Sequence, residues 1–271
     1  MKLIQAVLCL ILCLTCCAHG RPADPGAPAP TPGGQSTTEL TAQGRYKDAE
    51  RALERGLYQE AIKDFEAIRT EFPYSQYAAL SELRIADAYM RRDQHLEAID
   101  AYRTFLRFHP THPDASYALG RIGEAYYAQI PKDYYLMPPS AEKDLSHVRE
   151  AIATYQDLLA RYPEARDAEA AQKHLKACQK KLADHEMYVA RFYFTRQQWA
   201  GAVLRAQGIL KNYPGLGLDA DALYMAAQAH AHLGQMDQAV ASVTQLLADY
   251  PNTQAGQRAQ SLLEHLEGRM Q

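Results

Sequence analysis

Few residues in this chain have the type and spacing that chemistry needs. His109 and His112 stand three apart in His109-Pro110-Thr111-His112-Pro113. Proline locks its own φ and pushes the preceding residue toward extended backbone, so the two rings are expected to pack in a turn rather than share a metal. His174 and Cys178 lie at i and i+4 of a helical pattern, a spacing that could offer two ligands of a metal site. No second pair lies near them, and a solvated helix face is the expectation. His230 and His232 fall on different sides of a helix. There is no glycine-rich phosphate loop, no G-x-S-x-G elbow and no H-E-x-x-H, and the carboxylates are scattered singly. The chain therefore reads as a binding protein, not an enzyme, with no catalytic residue, no metal site and no cofactor.

The N-terminus carries a different chemistry. Cys9, Cys13, Cys16 and Cys17 fall in the first seventeen residues, the first two within the apolar run Leu3 to Leu14 that follows Lys2 and the last two just after it. Such a run is a signal peptide (residues 1–16), too short to span a bilayer as a stable helix. Leu14-Thr15-Cys16-Cys17 resembles the bacterial lipobox, which makes Cys17 the lipidation site and Cys16 the fallback acceptor. Each buried acyl CH₂ contributes about 0.8 kcal/mol, and two or more chains give lasting attachment. Ala18, not Asp, follows the acceptor, which by the lipoprotein sorting rule implies the outer membrane, facing the periplasm. Residues 17–38 hold Pro22, Pro25, Pro28, Pro30 and Pro32 among Gly, Ala and Thr, the composition of a disordered tether. Cys178, alone in the body, cannot form an intramolecular disulfide and is expected to be a small packing residue.

What positions everything else is a repeated helix. In GLYQEAIKDFEAIRTEFP, residues Tyr58, Ala61, Ile62, Phe65 and Ile68 mark one helical face, opened by Gly56 and stopped by Pro73. The pattern returns before Pro110, Pro163, Pro214 and Pro251, at spacings of 37, 53, 51 and 37 residues. Ala61, Ala98, Ala151, Ala202 and Ala239 keep the same spacings. Small residues at fixed points of a helix–turn–helix of about 34 residues ending in Pro are the tetratricopeptide signature. The fold predicted is all-α: a right-handed superhelical solenoid of about five tetratricopeptide units with a C-terminal capping helix. The solenoid runs over 39–271, with units at about 39–73, 74–110, 114–163, 167–214 and 218–251 and a cap at 253–268. An insertion at 130–146 explains the first long spacing. One long helix, from Asp167 to Thr195, explains the second, since that stretch has neither proline nor glycine. Its front half, sparse in apolar residues, precedes a back half that serves unit four. The net charge of −3 gives no basic field for nucleic acid.

In such an array the first helix of each unit lines a concave groove suited to a polypeptide. Groove candidates are Arg84, Asp87, Tyr89 and Arg91 in unit two and Tyr126 and Tyr127 in unit three. Tyr188, Arg191 and Tyr193 extend them into unit four. Aromatic and Arg side chains dominate interface energetics, although several of these tyrosines must serve ordinary packing.

Three stretches carry a further resemblance: GLYQEAIKDFEAIRTEFPYSQYA, RTFLRFHPTHPDASYALGRIGEAYY and LADHEMYVARFYFTRQQWAGAVLRAQGILKNYPG. Together they resemble the BamD (ComL, YfiO) family, the lipoprotein subunit of the outer-membrane β-barrel assembly machine, over about Arg45 to Pro251. The HPTHPD link, the insertion and the H-E-x-YVARFY segment are the specific parts. The resemblance implies one copy in a hetero-oligomer. The C-terminal units would dock on the last POTRA domain of a BamA-like barrel subunit, and the N-terminal units would engage the C-terminal signal of unfolded barrel proteins. Carried onto this chain, it implies partner contacts at Arg205, supported by Arg191 and Tyr188. It places substrate contacts at Tyr74, Tyr77 and Arg84, with Tyr89 beside them. The long Pro-rich tether departs from the family. The competing reading is a periplasmic repeat adaptor of the Tol and cell-division type, which would carry a coiled coil where this chain has its tether.

Overall fold

Ala61, Ala98, Ala151, Ala202 and Ala239 are all wholly buried, and each is followed at +4 and +7 by another buried residue. Those followers are Phe65 and Ile68, Tyr102 and Phe105, Tyr155 and Leu158, Ala206 and Ile209, and Val243 and Leu246. A small side chain at the crossing lets two helices approach, and each large one removed from water contributes about 1.5–3 kcal/mol. In a computed structural model that describes residues 37–131 and 144–270, this stripe belongs to the second helix of five consecutive pairs.

The pairs are α1 (Thr37–Glu54) with α2 (Tyr58–Glu71), α3 (Gln76–Arg91) with α4 (His95–Phe108), and α5 (Ala115–Ala128) with α6 (Ser146–Arg161). Then come α7 (Ala168–Thr195) with α8 (Trp199–Asn212) and α9 (Asp219–His232) with α10 (Met236–Asp249). From α2 onward each helix packs on the next, and α1 joins through Tyr46, Ala49 and Leu53 against Phe65 and Ile68. There is no strand among the described residues. The protein is a tetratricopeptide solenoid. α11 (Gln254–Met270) closes it by laying Ala255, Ala259 and Leu266 over Leu223, Val243 and Leu246.

The turns within pairs share one device. Gly56, Asp93, Gln197 and Gly234 take positive φ of 81°, 57°, 59° and 74°. The next amide in each case bonds back five residues, Leu57 to Ala52, Gln94 to Tyr89, Gln198 to Tyr193 and Gln235 to His230. This is the Schellman closure, for which glycine is the unstrained residue. Unit three departs from it, its two helices being separated by the 130–146 insertion. The signal segment, Cys16, Cys17, nearly all of the tether and most of the insertion lie outside the described residues.

The long helix is real and corrects one expectation. At 28 residues α7 extends about 42 Å. Its front half is not a solvated face: it packs on α5 and α6, burying Ala171 and Cys178. His174 stacks on the Tyr127 ring at 4.3 Å, with Nδ1 3.0 Å from the Tyr155 hydroxyl. The back half buries Met187 and Ala190 and packs on α8. One helix thus covers unit three and opens unit four. Burial pushes the Cys178 thiol up to about 11, as befits a packing residue.

Candidate functional site

α3 and α5, the first helices of units two and three, stand on either side of a groove of about 650 Å³. Arg84 and Asp87 are i, i+3 on α3, while Tyr117, Arg121 and Glu124 follow i, i+4, i+7 on α5. Pro113 adds exposed apolar surface, the buried Leu83 and Leu158 lie beneath, and the turn before α7 supplies Ala165, Arg166 and Asp167.

Asp87 organises the floor. It is only 5% exposed. Its carboxylate accepts from Arg84 Nη1 at 2.7 Å and from the Tyr117 hydroxyl at 2.9 Å, and also from the hydroxyl of Tyr102 on α4. Arg84 reaches on to α1, its Nε 3.1 Å from the Tyr46 hydroxyl and 3.3 Å from Glu50 Oε1. Arg121 pairs with Glu124. Burial, then the negative charge of Asp87, pushes Tyr117 up to about 12 and raises Tyr102 well above the usual phenol range. For Arg84, burial opposes the charge, but Tyr46 and Asp87 more than offset it and the guanidinium is held protonated. Four helices are therefore tied together by a polar network. A buried ion of this kind is tolerable because its lone pairs are used. Most of these donors and acceptors are spent on one another, while Arg121 Nε is buried with no hydrogen-bond partner among the described residues.

The residues expected to face substrate are not brought together. Arg84 lines this groove, whereas the fully exposed Tyr74 lines another of about 480 Å³ with Arg69, Glu82 and His109. Tyr77 packs on the Tyr46 ring at 5.3 Å, and Tyr89 is half-buried against the core of the first units. Among the expected partner contacts, Arg205 Nη1 lies 2.9 Å from Glu186 and Arg191 lies 3.8 Å from Asp221 on α9. Glu186 and Arg191 are five apart and so on different flanks of α7; Tyr188, exposed, shares the flank of Arg191.

Several other groove candidates turn out to be packing residues. Tyr126 is buried and accepts from Arg103, and Tyr127 stacks on His174, whereas Arg91 stays exposed and donates to the Leu53 carbonyl. Tyr193 lies against Gly201. The histidines do likewise. His109 and His112 both pack on Phe105 at 5.2 Å, with His109 Nε2 3.1 Å from Glu82. His230 is buried on Gln235, while His232 stacks on Trp199 at 4.0 Å. Sequence reasoning missed Tyr117, Arg121 and Glu124, although their spacing on one helix face was a usable signal. It also missed Arg166, which lies in a turn and gave none.

Comparison with known proteins agrees with this architecture. A family model described as "YfiO: Outer membrane lipoprotein" matches residues 38–243. "Outer membrane protein assembly factor BamD" of Neisseria meningitidis serogroup A is 29% identical over 258 residues, covering 93% of each chain. The BamD of Neisseria gonorrhoeae is 31% identical, covering 79% of this chain and 78% of its own. That of Vibrio cholerae is 29% identical over 195 residues, 71% of this chain and 80% of its own. The chain belongs to the YfiO/BamD family of outer membrane lipoproteins, whose named members here are outer membrane protein assembly factors.

Proposed function

We propose that this protein is a non-catalytic, lipid-anchored scaffold of outer membrane protein assembly. Cys17 carries the acyl anchor at the outer membrane, and the solenoid works on the periplasmic side. The groove between α3 and α5 receives segments of unfolded β-barrel proteins, and units four and five dock on the POTRA domain of a BamA-like barrel subunit through Arg205, Arg191 and Tyr188. The observation that carries this reading is the groove of about 650 Å³, lined by charged and phenolic side chains with Pro113 among them and a floor fixed by Asp87. A pre-formed concave surface of this kind suits an extended polypeptide, because little ordering is lost on binding.

The test is a photo-crosslinking residue at Ser116, which lines the groove. In native membranes it should capture unfolded barrel proteins, and a crosslink only to mature folded barrels, or none, refutes the groove assignment. In parallel, Arg205→Glu should reduce copurification with the barrel subunit while leaving helical content by circular dichroism intact. Unchanged copurification removes Arg205 from the docking face.

A further inference from the structure

Three arginines line the groove, and they are not equivalent. Arg84 is held by Asp87 and Glu50, and Arg121 by Glu124. Their charges are already compensated by these carboxylates. Arg166 is exposed, has no ion-pair or hydrogen-bond partner among the described residues, and lines the groove from the turn before α7. Of the groove's carboxylates, Glu124 is engaged by Arg121 and Asp114 faces His112 at 3.7 Å. Asp167 sits at the start of α7, where the helix dipole favours a negative charge.

We propose that Arg166 is the groove's specificity residue for a carboxylate on the bound polypeptide. This rests on the groove reading above and deepens it. A guanidinium presents a planar pair of N–H donors that matches a carboxylate bidentately. The exposed ring of Pro113 would seat an apolar side chain alongside it. Arg84 and Arg121, by contrast, shape the groove without contributing a free cation. The carboxylate could belong to an acidic side chain or to a free C-terminus, and the chemistry recognised is the same.

The experiment uses the full chain and three fluorescent peptides built on one alternating aromatic–polar sequence. One carries a single Asp and an amidated end, one carries Asn and a free carboxylate, and one carries Asn and an amidated end. Wild type is expected to bind at least one carboxylate peptide about tenfold more tightly than the neutral one, since a charge-assisted pair is worth about that much. Which of the two gains identifies the source. Arg166→Gln should abolish the preference while leaving affinity for the neutral peptide and the thermal midpoint unchanged. Arg166→Lys should retain only part of it. If Arg166→Gln keeps the full preference, or wild type shows none while still binding peptides and crosslinking from Ser116, the assignment is wrong and the groove reading survives. Loss of all peptide binding together with the Ser116 crosslink overturns the groove reading and this assignment with it.

Discussion

Replacing Asp87 with Asn keeps the side-chain volume and removes the charge on which the groove floor depends. The two phenol donors can still meet the amide oxygen, but a hydrogen bond to a charged group contributes about 1.5–3 kcal/mol against about 0.5–1.5 for a neutral one. Each phenol bond should therefore weaken by about 1 kcal/mol. Arg84 loses its 2.7 Å partner but keeps Glu50 at 3.3 Å. Because its side chain is 29% exposed, solvent screens that loss, again to about 1 kcal/mol. Together the substitution should cost about 3 kcal/mol. With a urea m-value near the top of the usual range, about 3 kcal/mol/M, the midpoint should fall by about 1 M. A solenoid is held by nearest-neighbour contacts, so the loss should be local. Amide exchange should quicken in α3, α4 and α5 and stay unchanged in α9 to α11. A loss within about 0.5 kcal/mol, the range of an ordinary surface change, refutes the network account. A loss of the right size spread evenly over all helices refutes the locality.

Gly123→Ala would place a Cβ 2.6 Å from the Tyr155 ring, which is 1% exposed and tied at its hydroxyl to His174, so denaturation should show a loss on the order of 1–3 kcal/mol. Gln197→Gly relieves a positive φ of 59° at the turn between α7 and α8 and should raise stability by about 0.5–1 kcal/mol, read as a higher melting midpoint. The buried thiol sets an alkaline limit. Below pH 9 Cys178 is protonated in both folded and unfolded chains. Between 9 and about 11 only the unfolded chain releases its proton, so stability falls across that window. Tyr117, raised from 10.0 to about 12, acts with the same sign between those values. Thermal midpoints should decline from pH 9 upward, and Cys178→Ala should flatten the first part of the decline.

The helix pairs were legible because their signals are local and repeat. A small residue, buried residues at +4 and +7, and a proline stop recur in every unit, and the structure buries each small residue completely. The α7 error shows where this way of reading fails. A helical face is legible through its large apolar residues, and the front half of α7 has few. It is buried instead through Ala171 and Cys178 and through an imidazole stacked on a phenol. A short side chain on a helix marks a close neighbour as readily as a solvated face, and only the neighbour's position distinguishes the two. Here the neighbours are α5 and α6.

The groove was legible in its parts and not in its wiring. Arg84 and Asp87 could be assigned to the first helix of unit two, and Tyr117, Arg121 and Glu124 could have been found by the same spacing on α5. What no spacing contains is that Tyr102, from a second helix, donates to Asp87, or that Arg84 turns back to Tyr46 and Glu50. These contacts convert an arginine that looks like a ligand-binding residue into a structural one. The same contacts leave Arg166, which carries no periodic signal at all, as the uncommitted cation in the groove. Residue type and spacing thus nominate a surface, while the pairing of charges across it decides which member can still bind something else. That is why Arg84→Gln and Arg166→Gln should part company: the first should lower stability, and the second should leave stability intact and change only what the groove prefers.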